Sequence, residues 1–114
     1  MKTSSCKAKG RNLQKHVVQR ILTYFPALSD DDVASRSMGA QGEDVMLSPA
    51  ARSLLPISVE CKSKAAFAVY KDYAQASTNA KTYQPVLVIK QNRGVPLAVV
   101  DLDFFLSLLA NNKR

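Results

Sequence analysis

The segment "GEDVMLSPAARSLLPISVECKS", residues 42–63, predicts the centre of the fold. Its first part alternates in the manner of a β-strand, with Val45 and Leu47 on one face. A Ser-Pro pair then suits the N-cap and first position of a short helix over 48–55, which Pro56 ends. The last part, "PISVECKS", alternates again. The segment therefore predicts a strand, a short helix and a second strand.

Two charged residues occupy alternate positions of that second strand. Glu60 and Lys62 point to the same face, about 6 to 7 Å apart along the strand, whereas Val59 and Cys61 point to the other face. The simplest interpretation is a salt bridge on a half-exposed sheet face. However, uncompensated charges at the centre of a small fold cost several kcal/mol of stability. A functional role for Glu60 and Lys62 is therefore the alternative to a plain salt bridge.

A third charged residue, Asp44, follows a Gly-containing loop and begins the first strand. If the two strands lie side by side, Asp44 approaches Glu60, and two carboxylates then lie next to the Lys62 ammonium. Mg²⁺ is usually held by one or two carboxylates when its remaining partners are water and phosphate oxygens. In such a site the metal polarises a phosphodiester, and Lys62 orients the attacking water or stabilises developing charge.

The remaining chain predicts helices on both sides of these strands. A 3.6-residue apolar pattern predicts a first helix from Lys9 to Phe25, and a short strand is predicted over 32–37. A second long helix is predicted over 64–79, with an apolar face of Phe67, Tyr70, Tyr73 and Ala74. The adjacent strands "PVLVIK" and "PLAVV" follow, and then a last helix capped by Asp101 or Asp103. This order predicts a single domain of the α/β or α+β class over residues 9–114, with a central mixed sheet flanked by helices. Residues 1–8 are expected to form a flexible basic tail.

The charge of the chain points to a polyanionic partner. The 114 residues carry a net charge of +7, and six basic residues but no acid precede Asp30. Nucleic acid is the simplest such partner. The two cysteines lie far apart, the first twenty residues contain no apolar signal segment, and no run of eighteen apolar residues occurs. We therefore expect a cytoplasmic protein without disulfides that does not interact with membranes.

The charged residues also resemble a known family. "GEDV" followed by "VECKS" resembles the PD-(D/E)XK nuclease superfamily, whose motif is an Asp, a variable spacer, then Asp or Glu, one residue and Lys. The resemblance covers roughly residues 9–92. Archaeal-type and phage-type Holliday-junction resolvases are the most similar branch, through "KGR" at 9–11, "SMGAQGED" at 37–44 and "ECKS" at 60–63.

The resemblance implies a restriction-endonuclease-like core and a Mg²⁺-dependent endodeoxyribonuclease, with Mn²⁺ as a substitute metal. It makes Asp44 and Glu60 the metal ligands, the Cys61 backbone carbonyl a further ligand, and Lys62 the residue that acts on the nucleophilic water. Four-way DNA junctions would be the substrate, in DNA recombination or repair. Two copies would form a symmetric dimer that cuts opposed strands. The phage-type branch also implies that a phage gene in a bacterial host could encode the chain.

Gln14 departs from the family pattern. The branch typically has a Glu in the first helix, and Gln14 occupies that position, inside the apolar arc of the helix. It either holds a metal-bound water in a catalytic role or is a core-edge amide satisfied by the backbone. The missing carboxylate leaves open whether one or two metals bind, and Glu43 could supply it if its loop turned inward.

Five further residues are candidate DNA contacts: Lys9, Arg11, Lys15, Ser37 and Gln75. For each of them plain solvent exposure is the alternative. For the whole chain, the alternatives are a nuclease of the same fold with another DNA substrate, such as a repair or restriction nuclease, a basic DNA-binding module without catalysis, and an interaction protein in which the motif is accidental.

Overall fold

The computed structural model describes residues 3–37 and 41–112, which form an α+β domain with a mixed sheet flanked by helices. The elements in chain order are α1 (Thr3–Tyr24), β1 (Val33–Ser35), β2 (Val45–Leu47), α2 (Pro49–Leu54), β3 (Ile57–Ser63), α3 (Val69–Ala80), β4 (Gln84–Lys90), β5 (Leu97–Val99) and α4 (Leu102–Asn111). The predicted order of elements is thus confirmed. In the loop "SMGAQG", residues 38–40 lie outside the described part of the chain.

The strands form two sheets rather than the single sheet that the sequence predicts. One has the order β3-β4-β5, with β3 parallel to β4 and β5 antiparallel to β4, and the other is the antiparallel pair β1-β2. A backbone hydrogen bond of 2.9 Å from Asp44 N to Val59 O joins the two sheets. The chain then turns away, because the three residues of β2 pair with β1 instead.

Both faces of β3 are covered. Val59 and Cys61 belong to the main core, which contains Leu13 of α1 and also Leu28, Val33, Val45, Ala51, Val86 and Val88. On the opposite face Ser58 and Glu60 are buried as well. The alternation predicted for this strand is therefore confirmed, but the face with the charged residues is interior rather than half-exposed.

The first helix is longer than predicted. It begins at Thr3, so the predicted flexible tail of residues 1–8 is helical from that residue on, while residues 1 and 2 lie outside the described part. The sequence from Thr3 to Lys9 contains neither Gly nor Pro, so nothing in it interrupts the helix. Its lysines therefore extend a helical surface.

The helix α3 differs from its prediction in start and in orientation. It begins at Val69 rather than at residue 64, and its buried residues are Asp72, Ala76 and Ala80. Tyr70, predicted to lie on the buried face, is 93% exposed. Alanine side chains let the helix backbone approach the sheet closely, which leaves the bulky aromatic residues toward its margin.

The predicted hairpin β4-β5 and the helix cap at Asp101 are confirmed. The Asp101 carboxylate accepts a hydrogen bond of 3.0 Å from Phe104 N, which caps α4. No residue of α4 is buried, although the helix is mostly Leu and Phe, so it does not form part of the core. None of the helices in the described ranges is long and apolar enough to span a membrane.

Candidate metal centre on strand β3

Backbone hydrogen bonds hold Asp44 against the middle of β3. Its N–H donates to Val59 O at 2.9 Å, and its carbonyl accepts from Arg36 N at 2.8 Å. The Asp44 Oδ2 atom accepts a hydrogen bond of 2.7 Å from Cys61 N. Asp44 is thus fixed on both sides, and its carboxylate lies beside the residue that separates Glu60 from Lys62.

Glu60 is an interior carboxylate with one polar neighbour on α3. Its side chain is only 6% exposed, and Oε1 accepts a hydrogen bond of 3.1 Å from Asn79 Nδ2. Burial raises the pKa of Glu60, and the nearby Asp44 charge raises this pKa further, whereas Asn79 and the Lys62 ammonium lower it. The pKa of Glu60 is therefore raised overall.

The pKa of Asp44 is also raised. Burial raises its pKa above the usual range, and the Cys61 N–H and the charges of Lys62 and Arg36 only partly offset this. The half-buried Asp44 and the buried Glu60 therefore lie close enough for the Asp44 charge to raise the pKa of Glu60, and the neighbouring cations only partly offset the effect of burial on both carboxyl pKa values. A divalent cation between them would supply further positive charge.

Lys62 lies on the same strand face as Glu60 and is half-buried. Its ammonium is close enough to lower the pKa of both carboxylates. The structure therefore brings together Asp44, Glu60 and Lys62, the three residues at the centre of the sequence prediction.

The Cys61 side chain and backbone have different surroundings. Its thiol is buried in the core, where burial and then the Asp44 and Glu60 charges raise its pKa far above the usual value. The N–H of Cys61 points to the Asp44 side of β3, and in a strand the carbonyl of the same residue points to that side as well. Its role as a metal ligand stays a prediction that this orientation permits.

Gln14 is buried, with 6% exposure, on α1 next to the core residue Leu13. The inward position predicted from its place in the helix is confirmed, and its catalytic role stays a prediction. The Glu43 side chain is mostly buried, and its Oε2 atom forms an ion pair of 2.6 Å with Arg52. Its Oε1 atom is buried without a hydrogen-bond partner among the described residues, so its role as the missing carboxylate stays a prediction.

Asn79 is a site residue that the sequence prediction did not include. Gln75 on the same helix, the residue predicted from the sequence, is exposed, whereas Asn79 one turn later donates to Glu60. The spacing contained a signal, because Asn79 follows Asp72 and Ala76 at helical intervals on the buried side of α3. The sequence prediction instead placed the tyrosines on the buried face of this helix, which left Asn79 outside that face.

The donor set suits a hard cation with few protein ligands. Among residues 3–37 and 41–112, no group of three or more His, Cys, Asp or Glu side chains is placed to hold a metal ion. Asp44 and Glu60 offer two carboxylates, the number with which Mg²⁺ is held when water and phosphate oxygens complete its shell. The residues present fit this ion.

The predicted DNA contacts lie on the outside of the molecule. Arg11, Lys15, Ser37 and Gln75 are exposed, and Lys9 is half-buried with its Nζ atom 2.9 Å from Asn92 Oδ1 in the β4-β5 turn. Their accessibility permits contact with DNA but does not test it.

The resemblance to PD-(D/E)XK nucleases thus remains a resemblance carried by short motifs. Comparison of the chain with family models, with curated proteins and with solved structures finds no significant match.

Proposed function

We propose that this protein is a Mg²⁺-dependent endonuclease that hydrolyses phosphodiesters in branched DNA. The observation that carries the proposal is the placement of the half-buried Asp44 carboxylate and the buried Glu60 carboxylate, whose pKa values are both raised, beside the Lys62 ammonium. Such a pair destabilises the protein without a cation, and perturbed carboxylates in this arrangement are typical of functional sites. The resemblance of "GEDV" and "VECKS" to nuclease motifs supports the same function.

Each residue has a distinct task in this proposal. Asp44 and Glu60 bind the metal, and Asn79 keeps the Glu60 carboxylate oriented through its 3.1 Å hydrogen bond. When bound, Mg²⁺ supplies positive charge to the phosphodiester and lowers the pKa of a coordinated water. Lys62 orients the attacking water or stabilises negative charge that develops on the phosphate.

The charge distribution supports a DNA substrate. Six of the basic residues lie in the first 29 positions, and Arg11, Lys15 and Arg20 are exposed along α1. Phosphate contacts by such residues make affinity strongly dependent on salt. This function assigns the protein to the cytoplasm, with DNA, and a phage-encoded origin in a bacterial host agrees with it.

Cleavage of a labelled four-way junction and of a linear duplex with the same arm sequences tests the proposal. With Mg²⁺ we expect paired nicks in the junction and little cutting of the duplex, and with chelator no cutting. Lys62→Met should lower the junction cleavage rate by roughly 100-fold, the usual loss for a positioned general acid-base group.

Two other outcomes would select the alternatives. Metal-dependent cutting of both substrates would retain the nuclease but exclude the preference for junctions. Binding of the junction without cutting in any metal would instead indicate a DNA-binding module, for which the amide of Gln14 in place of a carboxylate is the favouring observation.

We also propose that a second copy of the chain covers α4. The side chains of Leu102, Phe105, Leu106 and Leu109 follow one stripe of the helix and are 49 to 68% exposed. No Lys or Arg occurs from residue 95 to residue 112 in this strongly basic chain. Two copies can therefore approach through α4 without bringing their cations together, and the same stripe on each copy suits a two-fold interface.

Replacing both Phe105 and Leu109 with Gln is expected to convert a dimer of twice 12.5 kDa into a monomer, because the stripe loses its central contacts. Sedimentation equilibrium at micromolar concentration measures this change, and Ser107→Gln on the opposite face of α4 is the matched control. A monomeric wild type, or binding of α4 to lipid vesicles instead, would contradict the interface.

A further inference from the structure

A cleft of about 400 Å³ lies between α1 and the β4-β5 turn, outside the carboxylate site. Its lining includes Lys9 and His16 from α1, together with Lys90 and Arg93 from the hairpin. Leu13 and Pro96 contribute apolar surface. No Asp or Glu is found among the described residues that line it, so the cleft is positively charged with an apolar portion.

The cleft is adjacent to the strand that carries Glu60 and Lys62. Ser63, which also lines the cleft, directly follows Lys62 and pairs in register with Lys90 at the end of β4. The cleft thus opens at the carboxyl ends of two parallel strands, the edge at which ligands commonly bind in sheets flanked by helices. Ser63 and Lys90 point to the Cys61 face of the sheet, opposite to Lys62, so a DNA strand that passes Lys62 reaches the cleft around the carboxyl end of β3.

The turn beside the cleft is held in place and contains an unfavourable backbone conformation. Lys9 Nζ donates to Asn92 Oδ1 at 2.9 Å, which connects α1 to the turn. Gly94 N donates to Gln91 O at 2.9 Å, and between them Arg93 has a φ of 63°. Glycine adopts that conformation more easily than arginine, so the local backbone does not account for a long charged side chain at this position.

We infer that this cleft binds one nucleotide of the DNA strand next to the phosphodiester that is cut. Lys90 and Arg93 bind its phosphate, and Leu13 and Pro96 contact its base or sugar. The volume lies in the range of sites for small organic ligands. An unpaired nucleotide, which a branch point can supply, offers both the phosphate and the apolar ring surface that this lining suits. The inference rests on the proposed function and adds the residues that recognise the branch.

Arg93→Gly separates recognition from folding, and Lys81→Gly is its matched control. Lys81 also has a positive φ, of 57°, and is exposed near the opposite end of β4, so each variant removes one cation from a residue with a positive φ. Both variants should be at least as stable as the wild type. Any difference between them in DNA binding then reports the position of the lost cation.

The measurement is fluorescence anisotropy of a labelled four-way junction in chelator, over a range of salt concentrations. We expect Arg93→Gly to weaken binding several-fold and to lower the slope of log affinity against log salt by about 1, with Lys81→Gly close to wild type. Equal effects of the two variants would contradict nucleotide binding in the cleft but would not contradict the proposed nuclease function.

Two further arms identify the ligand. If the wild type does not bind the junction at all, the proposed function fails together with the cleft. If thymidine monophosphate binds the wild type as tightly as the junction does, the cleft is a site for free nucleotides and the assignment to a DNA strand is overturned.

Discussion

Glu60→Gln is expected to lower the rate of junction cleavage by about 1000-fold, which corresponds to about 4 kcal/mol of transition-state stabilisation. The amide has the shape of the carboxylate and can still accept from Asn79 Nδ2, but it lacks the charge that holds a divalent cation. Single-turnover cleavage with Mg²⁺ measures the effect. A variant that retains more than a tenth of the wild-type rate would remove Glu60 from the metal site.

The same substitution should stabilise the metal-free protein at neutral pH. Because burial and the Asp44 charge raise the folded-state pKa of Glu60, its contribution to stability is complete below the ordinary carboxyl pKa of about 4 and is lost as the pH rises through the raised value. The wild type should therefore lose stability as the pH rises from about 4 through the raised pKa of Glu60, and Glu60→Gln should lose less.

Thermal unfolding in chelator measures this difference. At pH 7 we expect the variant to melt roughly 3 to 6 °C above the wild type, equivalent to about 1 kcal/mol. Asp31→Asn, at an exposed carboxylate, is the control and should leave the melting temperature unchanged. A lower melting temperature for Glu60→Gln at pH 7 would show that the ionised carboxylate is stabilised in the folded protein.

Added Mg²⁺ or Mn²⁺ provides a measurement that does not depend on cleavage. A cation that binds only the folded state raises its stability by mass action. The melting temperature of the wild type should rise with metal concentration, and that of Glu60→Gln should not. Equal responses would indicate that the cation binds elsewhere.

Arg52→Ala is expected to lower the free energy of unfolding by about 3 kcal/mol. Arg52 Nη2 lies 2.6 Å from Glu43 Oε2, its Nη1 donates to Ile57 O at 2.5 Å, and its guanidinium lies 4.1 Å from the centre of the Tyr83 ring. Both members of the ion pair are mostly buried, so removal of the arginine leaves the Glu43 carboxylate in the interior without a counterion.

Urea unfolding followed by circular dichroism measures that loss. The free energy of unfolding of Arg52→Lys should lie between those of the wild type and Arg52→Ala. Lysine keeps the charge but cannot form two directed hydrogen bonds and the ring contact together. The double variant Glu43→Gln with Arg52→Ala should recover part of the stability, since the unpaired charge is gone. A loss below about 0.5 kcal/mol in Arg52→Ala would show that water satisfies Glu43 instead.

This ion pair also affects the site. Glu43 immediately precedes Asp44, and its carbonyl accepts a hydrogen bond of 2.6 Å from Arg36 Nε. Arg36 and Arg52 thus hold the peptide that places the Asp44 carboxylate beside β3. We therefore expect part of any activity loss in Arg52→Ala to come from displacement of Asp44 rather than from lost charge at the site.

The sequence by itself determined the features that depend on local geometry. Alternation along residues 57–63 placed Glu60 and Lys62 on one face of a strand and Val59 and Cys61 on the other. The cap at Asp101 and the hairpin of β4 and β5 are also local, because a cap or a turn involves residues only a few positions apart. These features could be predicted since neighbouring residues define them.

Only the tertiary structure decided which distant groups meet. The contact of Asn79 with Glu60, the pairing of Arg52 with Glu43 and the hydrogen bond of Cys61 to Asp44 join residues on different elements. The predicted face of α3 was wrong for the same reason: periodicity identifies candidate stripes, but close packing of alanines against the sheet selected the stripe that is buried. Burial on both faces of β3, which raises the pKa of Glu60, likewise follows from how the helices pack and not from the order of residues along the strand.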